Sequence, residues 1–361
     1  ARLLSTRPFV GIGLISYSAY LWHQPLLAFA RHSSLTAPTQ LTLTIVASLS
    51  LPLAYLSWRF VEKPFRKSGK FNSKEIFIFS AIGSVAFITI GVSGHLSNGW
   101  PERFSASFPI NEQLKCQEKE FSPEKICIRT KEQNKLTFLI GDSHSAAIGH
   151  ELEKSFFNEH IGLMQISSPG CSPIENVYRA DLGDLKDMHC YQFNNDLYRF
   201  ISESDKIEYV VMSARWTLSM EGSRFNNTEG GIETSEKAPH LDLVENGQPL
   251  YHSDYEHRSL IADRYANSIQ KILGMGKKVI LIYPVPEVGW NVPEYLLKYQ
   301  RMMNPATGST SYAVFQERNK RSYDALDKIG KYSNLYRIYP EHIFCNSEVR
   351  ERCIVHKNGT P

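Results

Sequence analysis

Apolar residues concentrate in the N-terminal part of this 361-residue chain, and polar residues prevail in the remainder. Three apolar stretches, Val10–Ala30, Leu41–Val61 and Ile76–Leu96, each approach the roughly 20 residues that a helix needs to cross a bilayer. A single such stretch is also typical of a buried core helix, but three in succession favour membrane spans. We therefore predict a segment of three transmembrane helices over residues 1–96.

The loops between these stretches predict an orientation. Five lysines and arginines lie in the loop at 62–75, whereas the loop at 31–40 carries a single arginine. Basic loops stay on the cytoplasmic side of a membrane. We therefore expect a multi-pass protein with the bilayer as a partner and with everything after the third span outside the cytoplasm.

All six cysteines follow the third apolar stretch, as expected for disulfides in an oxidising compartment. They fall into sequential pairs, although six cysteines allow 15 connectivities. The pairs are Cys116 with Cys127, Cys171 with Cys190, and Cys345 with Cys353. No C-x-x-C spacing occurs, so we predict no metal site.

After a predicted linker at 97–134, short apolar runs alternate with amphipathic segments over residues 135–361, which predicts an α/β domain with a parallel sheet. A polar insertion at Ser219–His257 reads as a long loop or added lobe. The predicted strands are Leu136–Ile140, Gly162–Ile166, Glu208–Met212, Val279–Tyr283 and Leu335–Tyr339. The predicted helices are Ser145–Phe157, Cys190–Ser202, Ser259–Leu273 and Tyr312–Ile329.

The first of these strands runs into Gly141-Asp142-Ser143-His144-Ser145 and then into a helix. Gly141 permits a tight turn that exposes Ser143 at a helix N-terminus, where backbone N–H groups stabilise an oxyanion. Ser143 is therefore the candidate nucleophile, to be activated by a histidine. The plainer alternative is that Asp142 or Ser143 is only a helix N-cap.

Two further turns follow the next two strands, at the edge where parallel sheets bind ligands. Ser168-Pro169-Gly170-Cys171 offers a backbone N–H at Gly170, or is an ordinary turn. Ser213-Ala214-Arg215-Trp216 offers a polar side chain at Arg215, or is a surface arginine beside a packed tryptophan.

These three turns resemble the successive blocks of an SGNH domain, specifically one fused to membrane acyltransferases of family 3. The stretches at 16–25 (SYSAYLWHQP) and 58–66 (WRFVEKPFR) resemble the end of that family's membrane domain. The resemblance implies a three-layer SGNH-hydrolase-like domain in the periplasm of a bacterial inner-membrane protein. It also implies O-acetylation of a cell-surface polysaccharide such as lipopolysaccharide O-antigen, or of a lipid-linked glycan.

Carried over by residue, Ser143 would form an acyl-enzyme within a turn supported by Gly141, Asp142 and His144. The N–H groups of Ser143 and Gly170 would contribute to the oxyanion hole. Arg215 stands where SGNH hydrolases have an asparagine, and we assign it to oxyanion or substrate contact. The resemblance implies no bound cofactor and makes acetyl-CoA the acyl donor to the membrane domain. The intramembrane His23 is a candidate functional residue of that domain, or else a structural histidine beside Pro25.

The resemblance places the base in an Asp-x-x-His motif near the C-terminus, and we expect it beyond Pro361 in a chain truncated at both ends. Asp254-Tyr255-Glu256-His257 has this spacing but lies in the insertion and reads as a solvated loop. His356 lacks the aspartate. We therefore expect residues 1–361 alone to be inactive; Ser143-dependent turnover would indicate His257 as the base.

Two other functions remain open at this point. A serine nucleophile can pass its acyl group to water, which would make the protein a carbohydrate esterase or deacetylase. A domain without a base would be a non-catalytic glycan-binding module. The net charge of +3 is small, so no nucleic-acid partner is expected.

Overall fold

The computed structural model describes residues 6–34, 38–66, 72–97, 99–100, 116–130, 136–159, 161–180, 188–233, 241–249, 254–292, 295 and 308–356. The chain divides into two compact units, Ala1–Ser107 and Phe108–Pro361.

The first unit is helical, as predicted from its apolar stretches. Helix α1 spans Arg7–Ser33, α2 spans Gln40–Ser57 and α4 spans Ser73–Leu96. Helix α2 continues through a π-helical turn at Trp58–Glu62 into the short helix α3 at Lys63–Arg66. Among the described residues, two helices are long and apolar enough to cross a membrane, at Gln40–Phe65 and Ser73–Leu96. Helix α1 is not one of them, because it mixes serines, His23 and Gln24 with its apolar positions.

The surface of this unit differs between its helices. Apolar side chains of α4 are exposed around the helix, with Phe77 at 80% and Phe87 at 79%. Between the first helix and the π-helical turn, the buried Ser18 hydroxyl donates a hydrogen bond to the Glu62 carboxylate. The exposed apolar surface of α4 agrees with its length and composition, which are sufficient to cross a membrane.

The second unit is built on a six-stranded sheet, in the order β1-β3-β2-β5-β8-β10. The edge strand β1 (Cys127–Ile128) is antiparallel to β3, and the remaining pairs are parallel. The parallel strands match the five predicted ones to within a residue at each end. They are β2 Leu136–Gly141, β3 Gly162–Ser167, β5 Ile207–Ser213, β8 Lys278–Ile282 and β10 Leu335–Ile338.

The helices of this unit are also close to those predicted. They are α5 Ser143–Asn158, α6 His189–Glu203, α7 Trp216–Glu221, α8 Asp254–Gly274, α9 Tyr312–Asp327 and α10 Glu341–Phe344. Short strands outside the main sheet form two small sheets. These strands are β4 Val177–Arg179, β6 Leu241–Glu245, β7 Gln248–Pro249, β9 Thr310–Ser311 and β11 Arg352–Cys353.

Alternate residues of the central strands pack against helices on opposite faces of the sheet. Leu139, Leu163 and Val211 form one apolar layer, which packs against the Ile148, Leu152 and Phe156 side chains of α5. Phe138 and Ile140 belong to the larger core on the other face, which includes side chains of α6, α8 and α9. The unit therefore has three layers, and the sheet lies between the helices.

The structure corrects two predicted segments. The prediction of a linker at 97–134 is wrong for its last part, because Cys127 and Ile128 pair with Gln165 and Met164 of β3. The predicted loop at Asp254–His257 is the first turn of α8, and α7, β6 and β7 occupy part of the predicted insertion. Local polarity suggested loops there, whereas packing against the larger core ordered these segments.

All three predicted disulfides are confirmed. They join Cys116 to Cys127, Cys171 to Cys190, and Cys345 to Cys353, with Cα–Cα distances of 5.6, 5.3 and 3.8 Å respectively.

We predict that Gly141→Ala destabilises the second unit severely. Gly141 has φ +150°, and an added Cβ would lie 1.8 Å from the Ser213 carbonyl oxygen on β5. Backbone strain and the clash together should cost at least about 3 kcal/mol. Thermal unfolding of the chain in detergent, followed by circular dichroism, measures the effect.

The matched control is Gly276→Ala, at a glycine with φ +78° and nothing within 4 Å of an added Cβ. It isolates the conformational cost, about 1–2 kcal/mol. Equal losses in the two variants would show that the close approach of β2 and β5 is unimportant.

Candidate active site

Strand β2 ends at Gly141, and α5 begins two residues later at Ser143. Asp142 is the N-cap of α5, and its Oδ1 accepts a hydrogen bond of 2.8 Å from the His144 N–H. The N-cap interpretation is therefore correct for Asp142, and the cap leaves Ser143 exposed in the first helical position. Among the described residues, none hydrogen-bonds the Ser143 hydroxyl, which is available to a substrate.

The second carboxylate oxygen of Asp142 fixes a neighbouring strand end. Its Oδ2 accepts a 2.8 Å hydrogen bond from the backbone N–H of Arg215, two residues beyond β5. Asp142 is only 3% exposed, so both bonds form away from water. Burial raises the pKa of the Tyr265 hydroxyl, which bonds Ser172 and lies near this carboxylate.

The three predicted turns start level with one another, because Gly141 pairs with both Ser167 and Ser213 in parallel register. The Ser168 N–H donates to the Gly141 carbonyl at 3.0 Å, which joins the β2 and β3 turns directly. Gly170 has φ +72°, a value that glycine adopts without strain. Parallel register thus brings Ser143, Gly170 and Arg215 to one edge of the sheet.

Two backbone donors lie at this edge, at Ser143 and Gly170. Within the described part of the chain, the N–H groups of Ser143 and Gly170 donate to no backbone carbonyl. The Gly170 turn is held by the Cys171 N–H, which donates to Ser168, and by the disulfide from Cys171 to Cys190 on α6. Both donors have the character that an oxyanion hole requires, and that role stays a prediction.

Arg215 is held by two carboxylates that sequence reasoning missed. Its guanidinium forms a bidentate pair with Glu233, at 2.7 Å for each bond, and its Nε donates to Glu287 at 2.9 Å. Its Nη2 also donates to Glu287. Four of the five guanidinium N–H groups are thus used, and one Nη1 hydrogen remains for the predicted contact with substrate.

The ion pairs extend outward from Arg215 through Arg224 and Arg318. Arg224 bonds Glu233 at 2.9 Å, and Arg318 bonds the second oxygen of Glu287 at 2.9 Å. Burial alone would raise the pKa of Glu233, but the hydrogen bonds and charge of Arg215, with Arg224, outweigh it and lower the pKa to about 2. The network therefore remains charged at neutral pH.

A cavity of about 410 Å³ opens beside this network. His144 comes from the β2 turn, Arg215 from the β5 turn, and a loop after β8 supplies most of the remaining wall. The lining residues are His144, Arg215, Ile232, Glu233, Val285, Pro286, Glu287, Val288, Gly289, Trp290 and Asn291. The site therefore lies at the carboxyl ends of β2, β5 and β8, which is where open parallel sheets bind their ligands.

The other predicted candidates lie elsewhere. His23 is half-buried in α1, and its Nδ1 is 2.7 Å from the Tyr20 carbonyl oxygen. His356 is buried just after β11. The side chains of Asp254 to His257 lie outside the described residues. His356 does not line the cavity; among the described residues, the histidine that does is His144.

Among the described residues, one group has the ligand types of a metal site: Cys171, His189 and Cys190. The His189 Nε2 lies 3.2 Å from the Cys171 sulfur. Both cysteines are joined in a disulfide, so they offer no thiolate to a metal.

Comparisons with known proteins place the second unit in a family. A family model described as "SGNH domain (fused to AT3 domains)" matches residues 115–361. The O-acetyltransferase OatA of Staphylococcus aureus (strain NCTC 8325 / PS 47) is 39% identical over 70 residues, which are 19% of this chain and 12% of that protein. The peptidoglycan O-acetyltransferase OatA of Listeria monocytogenes serovar 1/2a is 28% identical over 116 residues, 27% of this chain and 19% of that protein.

This chain thus spans only a small part of the curated relatives that it matches. The solved periplasmic domain of the lipopolysaccharide acetyltransferase of Salmonella ser. Paratyphi A is similar with a TM-score of 0.45 at 18% identity. That similarity covers 74% of this chain and 84% of the solved one.

We predict that Asp142→Asn destabilises the second unit by about 1–3 kcal/mol, because the amide retains one acceptor and leaves the Arg215 N–H without one. Asp242→Asn is the control, since Asp242 is equally buried on β6 and accepts from the Leu243 N–H. The difference in unfolding midpoint between the two variants, measured in denaturant, tests the bridge. A loss no greater than that of Asp242→Asn would show that the bridge is dispensable.

We predict that Glu233 makes stability depend on pH below neutrality. Its pKa falls on folding from the ordinary 4.5 to about 2, so its stabilising effect is complete above pH 4.5 and is lost as pH falls towards 2. Glu233→Gln should therefore lower the melting temperature at pH 7 and converge with the parent near pH 2.

Glu151→Gln is the control for this pH profile. Its carboxylate also has a lowered pKa, through a hydrogen bond from Lys154, but the pair is exposed on α5. Exposed pairs contribute little, so this variant should match the parent at every pH. A Glu233→Gln profile parallel to that of the parent would contradict the prediction.

Proposed function

Because the chain belongs to the family of SGNH domains fused to AT3 domains, we propose that it is an O-acyltransferase that acetylates a cell-surface polysaccharide through Ser143. The observation that carries this proposal is the geometry of the β2 turn. A buried aspartate caps α5 and presents an exposed serine at the carboxyl edge of the sheet, and the next residue, His144, lines a cavity there. A structural N-cap alone would need neither the exposed hydroxyl nor the adjoining cavity.

The reaction would proceed in two steps at this serine. The Ser143 Oγ attacks the acyl carbonyl carbon as a base takes its proton, and the N–H groups of Ser143 and Gly170 receive the developing oxyanion. Collapse expels the leaving group, which regains the proton, and leaves an acyl-serine ester. An acceptor hydroxyl then loses its proton to the base and attacks this ester, which regenerates Ser143.

The base is the part of this proposal that the described residues do not supply. We propose that the base is a histidine of an Asp-x-x-His motif, held by its aspartate in the orientation that a serine nucleophile needs.

The helical unit supports a membrane location for the whole protein. We propose that α1 to α3 belong to the C-terminal part of an acyltransferase domain in a bacterial inner membrane, that α4 is one extra span, and that the SGNH domain lies in the periplasm. The three disulfides fit an oxidising compartment. Acetyl-CoA in the cytoplasm would supply the acyl group, with His23 as a candidate participant within the membrane domain.

The proposed acceptor is a hydroxyl of lipopolysaccharide O-antigen or of a similar glycan. One relative of this chain is named as a peptidoglycan O-acetyltransferase, so glycan O-acetylation is the chemistry that this relative's name supports. The acceptor here is a proposal, because that match covers only 27% of this chain.

We predict that Ser143→Ala abolishes acetyl transfer, with a loss on the order of 1,000-fold or more, because no other group replaces the nucleophile. Mass spectrometry of surface polysaccharide from cells that express the complete gene measures O-acetyl groups. Ser155→Ala, an exposed serine of the same helix, is the control and should retain acetylation.

Unchanged acetylation in Ser143→Ala would overturn the proposed role of Ser143. The same cells distinguish transfer from hydrolysis. Added acetyl groups on the glycan indicate a transferase, whereas a glycan that gains acetyl groups when the gene is deleted indicates a deacetylase.

A further inference from the structure

We propose that the cavity beside Ser143 seats a neutral pyranose ring of the acceptor, with the apolar face of the ring against the indole of Trp290. This inference rests on the proposed function, because it assigns the acceptor to that site. Four features of the cavity carry it.

The first feature is a rigid junction between two loops. Gly289 of the β8 loop has φ +79°, and an added Cβ there would lie 2.4 Å from the Gly231 carbonyl oxygen. Asn227 is fully buried; its Nδ2 donates to the Val288 carbonyl at 3.0 Å, and its Oδ1 accepts from the Gly231 N–H at 2.8 Å. The residue that follows this junction is Trp290, so its backbone is fixed before any ligand arrives.

The second feature is the support of the indole itself. Trp290 stacks on Tyr295 with ring centroids 5.1 Å apart and an interplanar angle of 23°. An added Cβ at Gly231 would lie 2.5 Å from a carbon of the indole ring, so glycine is needed for this approach. An aromatic ring that is already packed against Tyr295 and Gly231 loses little entropy when a ligand packs on it.

The third feature is the mixture of surfaces in the cavity wall. Trp290 and Ile232, which is 56% exposed, supply apolar surface. His144, Asn291 and the remaining Nη1 hydrogen of Arg215 supply hydrogen-bonding groups. A pyranose has the complementary pattern, since C–H groups cover its faces and hydroxyls surround its rim.

The fourth feature is charge. The two carboxylates of the wall, Glu233 and Glu287, are each paired with two arginines. Three arginines against two carboxylates leave one positive charge, which is shared among guanidinium groups that are all ion-paired. The wall therefore offers no unpaired carboxylate to a cation, and its polar groups suit a hydroxyl-bearing ligand. A volume of about 410 Å³ lies within the range of small-molecule sites.

Saturation-transfer NMR on the full chain in detergent tests the site directly. The probes are methyl α-D-glucopyranoside, methyl α-D-galactopyranoside and methyl β-D-N-acetylglucosaminide, with sorbitol as a polyol that has hydroxyls but no ring face. We expect at least one pyranoside to receive saturation through its ring C–H protons, and sorbitol to receive none.

Three variants test whether the pyranoside binds at Trp290. Trp290→Ala should weaken the pyranoside signal at least about tenfold, whereas Trp290→Phe should keep most of it because a ring face remains. Tyr332→Ala removes an exposed aromatic ring just before β10, at the opposite edge of the sheet, and should change nothing. Far-ultraviolet circular dichroism verifies that each variant is folded.

The inference is overturned if no pyranoside binds at millimolar concentration, if sorbitol binds equally, or if folded Trp290→Ala binds as the parent does. Ser143→Ala separates this inference from the proposed function. Pyranoside binding that persists in Ser143→Ala and disappears in Trp290→Ala supports the sugar site. That outcome stands even if acetylation proves independent of Ser143, in which case the cavity is a glycan-binding site without serine chemistry.

Discussion

The carboxylate of Asp142 joins the two strand ends on which the candidate site is built. One oxygen caps α5 through the His144 N–H and so sets the direction in which Ser143 leaves the sheet. The other oxygen binds the Arg215 N–H and so fixes the start of the turn after β5. A buried carboxylate that lacks hydrogen-bond donors is very costly in free energy. The loss of either bond would therefore also disturb the turn that the other bond holds.

The same constraint operates on the backbone. Gly141 lies so close to Ser213 that no side chain fits between β2 and β5. Its carbonyl oxygen accepts a hydrogen bond from the Ser168 N–H, in the turn after β3. The candidate nucleophile, the candidate oxyanion donors and Arg215 are therefore parts of one rigid edge. Preorganised donors of this kind are the principal source of transition-state stabilisation in acyl transfer.

Ion pairs and loops form the outer part of the candidate site. Arg215 connects the β5 turn to Glu233 and Glu287, and each of these carboxylates has a second arginine partner, Arg224 or Arg318. These ion pairs hold the β8 loop against the residue 226–233 segment. The cavity and its tryptophan depend on this arrangement, so this wall of the candidate site is formed by segments that lie far apart in sequence.

Local pattern was sufficient for much of this protein. Alternating apolar runs predicted the five parallel strands, because each strand is a short local segment. The Gly-Asp-Ser-His turn made Ser143 the candidate nucleophile, and the order of the cysteines suggested the pairs that the structure contains, although it left other connectivities open. Tertiary packing decided the rest. It drew β1 out of a predicted linker, made Asp254–His257 helical, and brought Glu233, Glu287 and Trp290 to the site. Those three residues belong to no sequence motif. They lie close together only because two loops that are distant in sequence fold onto the same edge of the sheet, through contacts that no local pattern encodes.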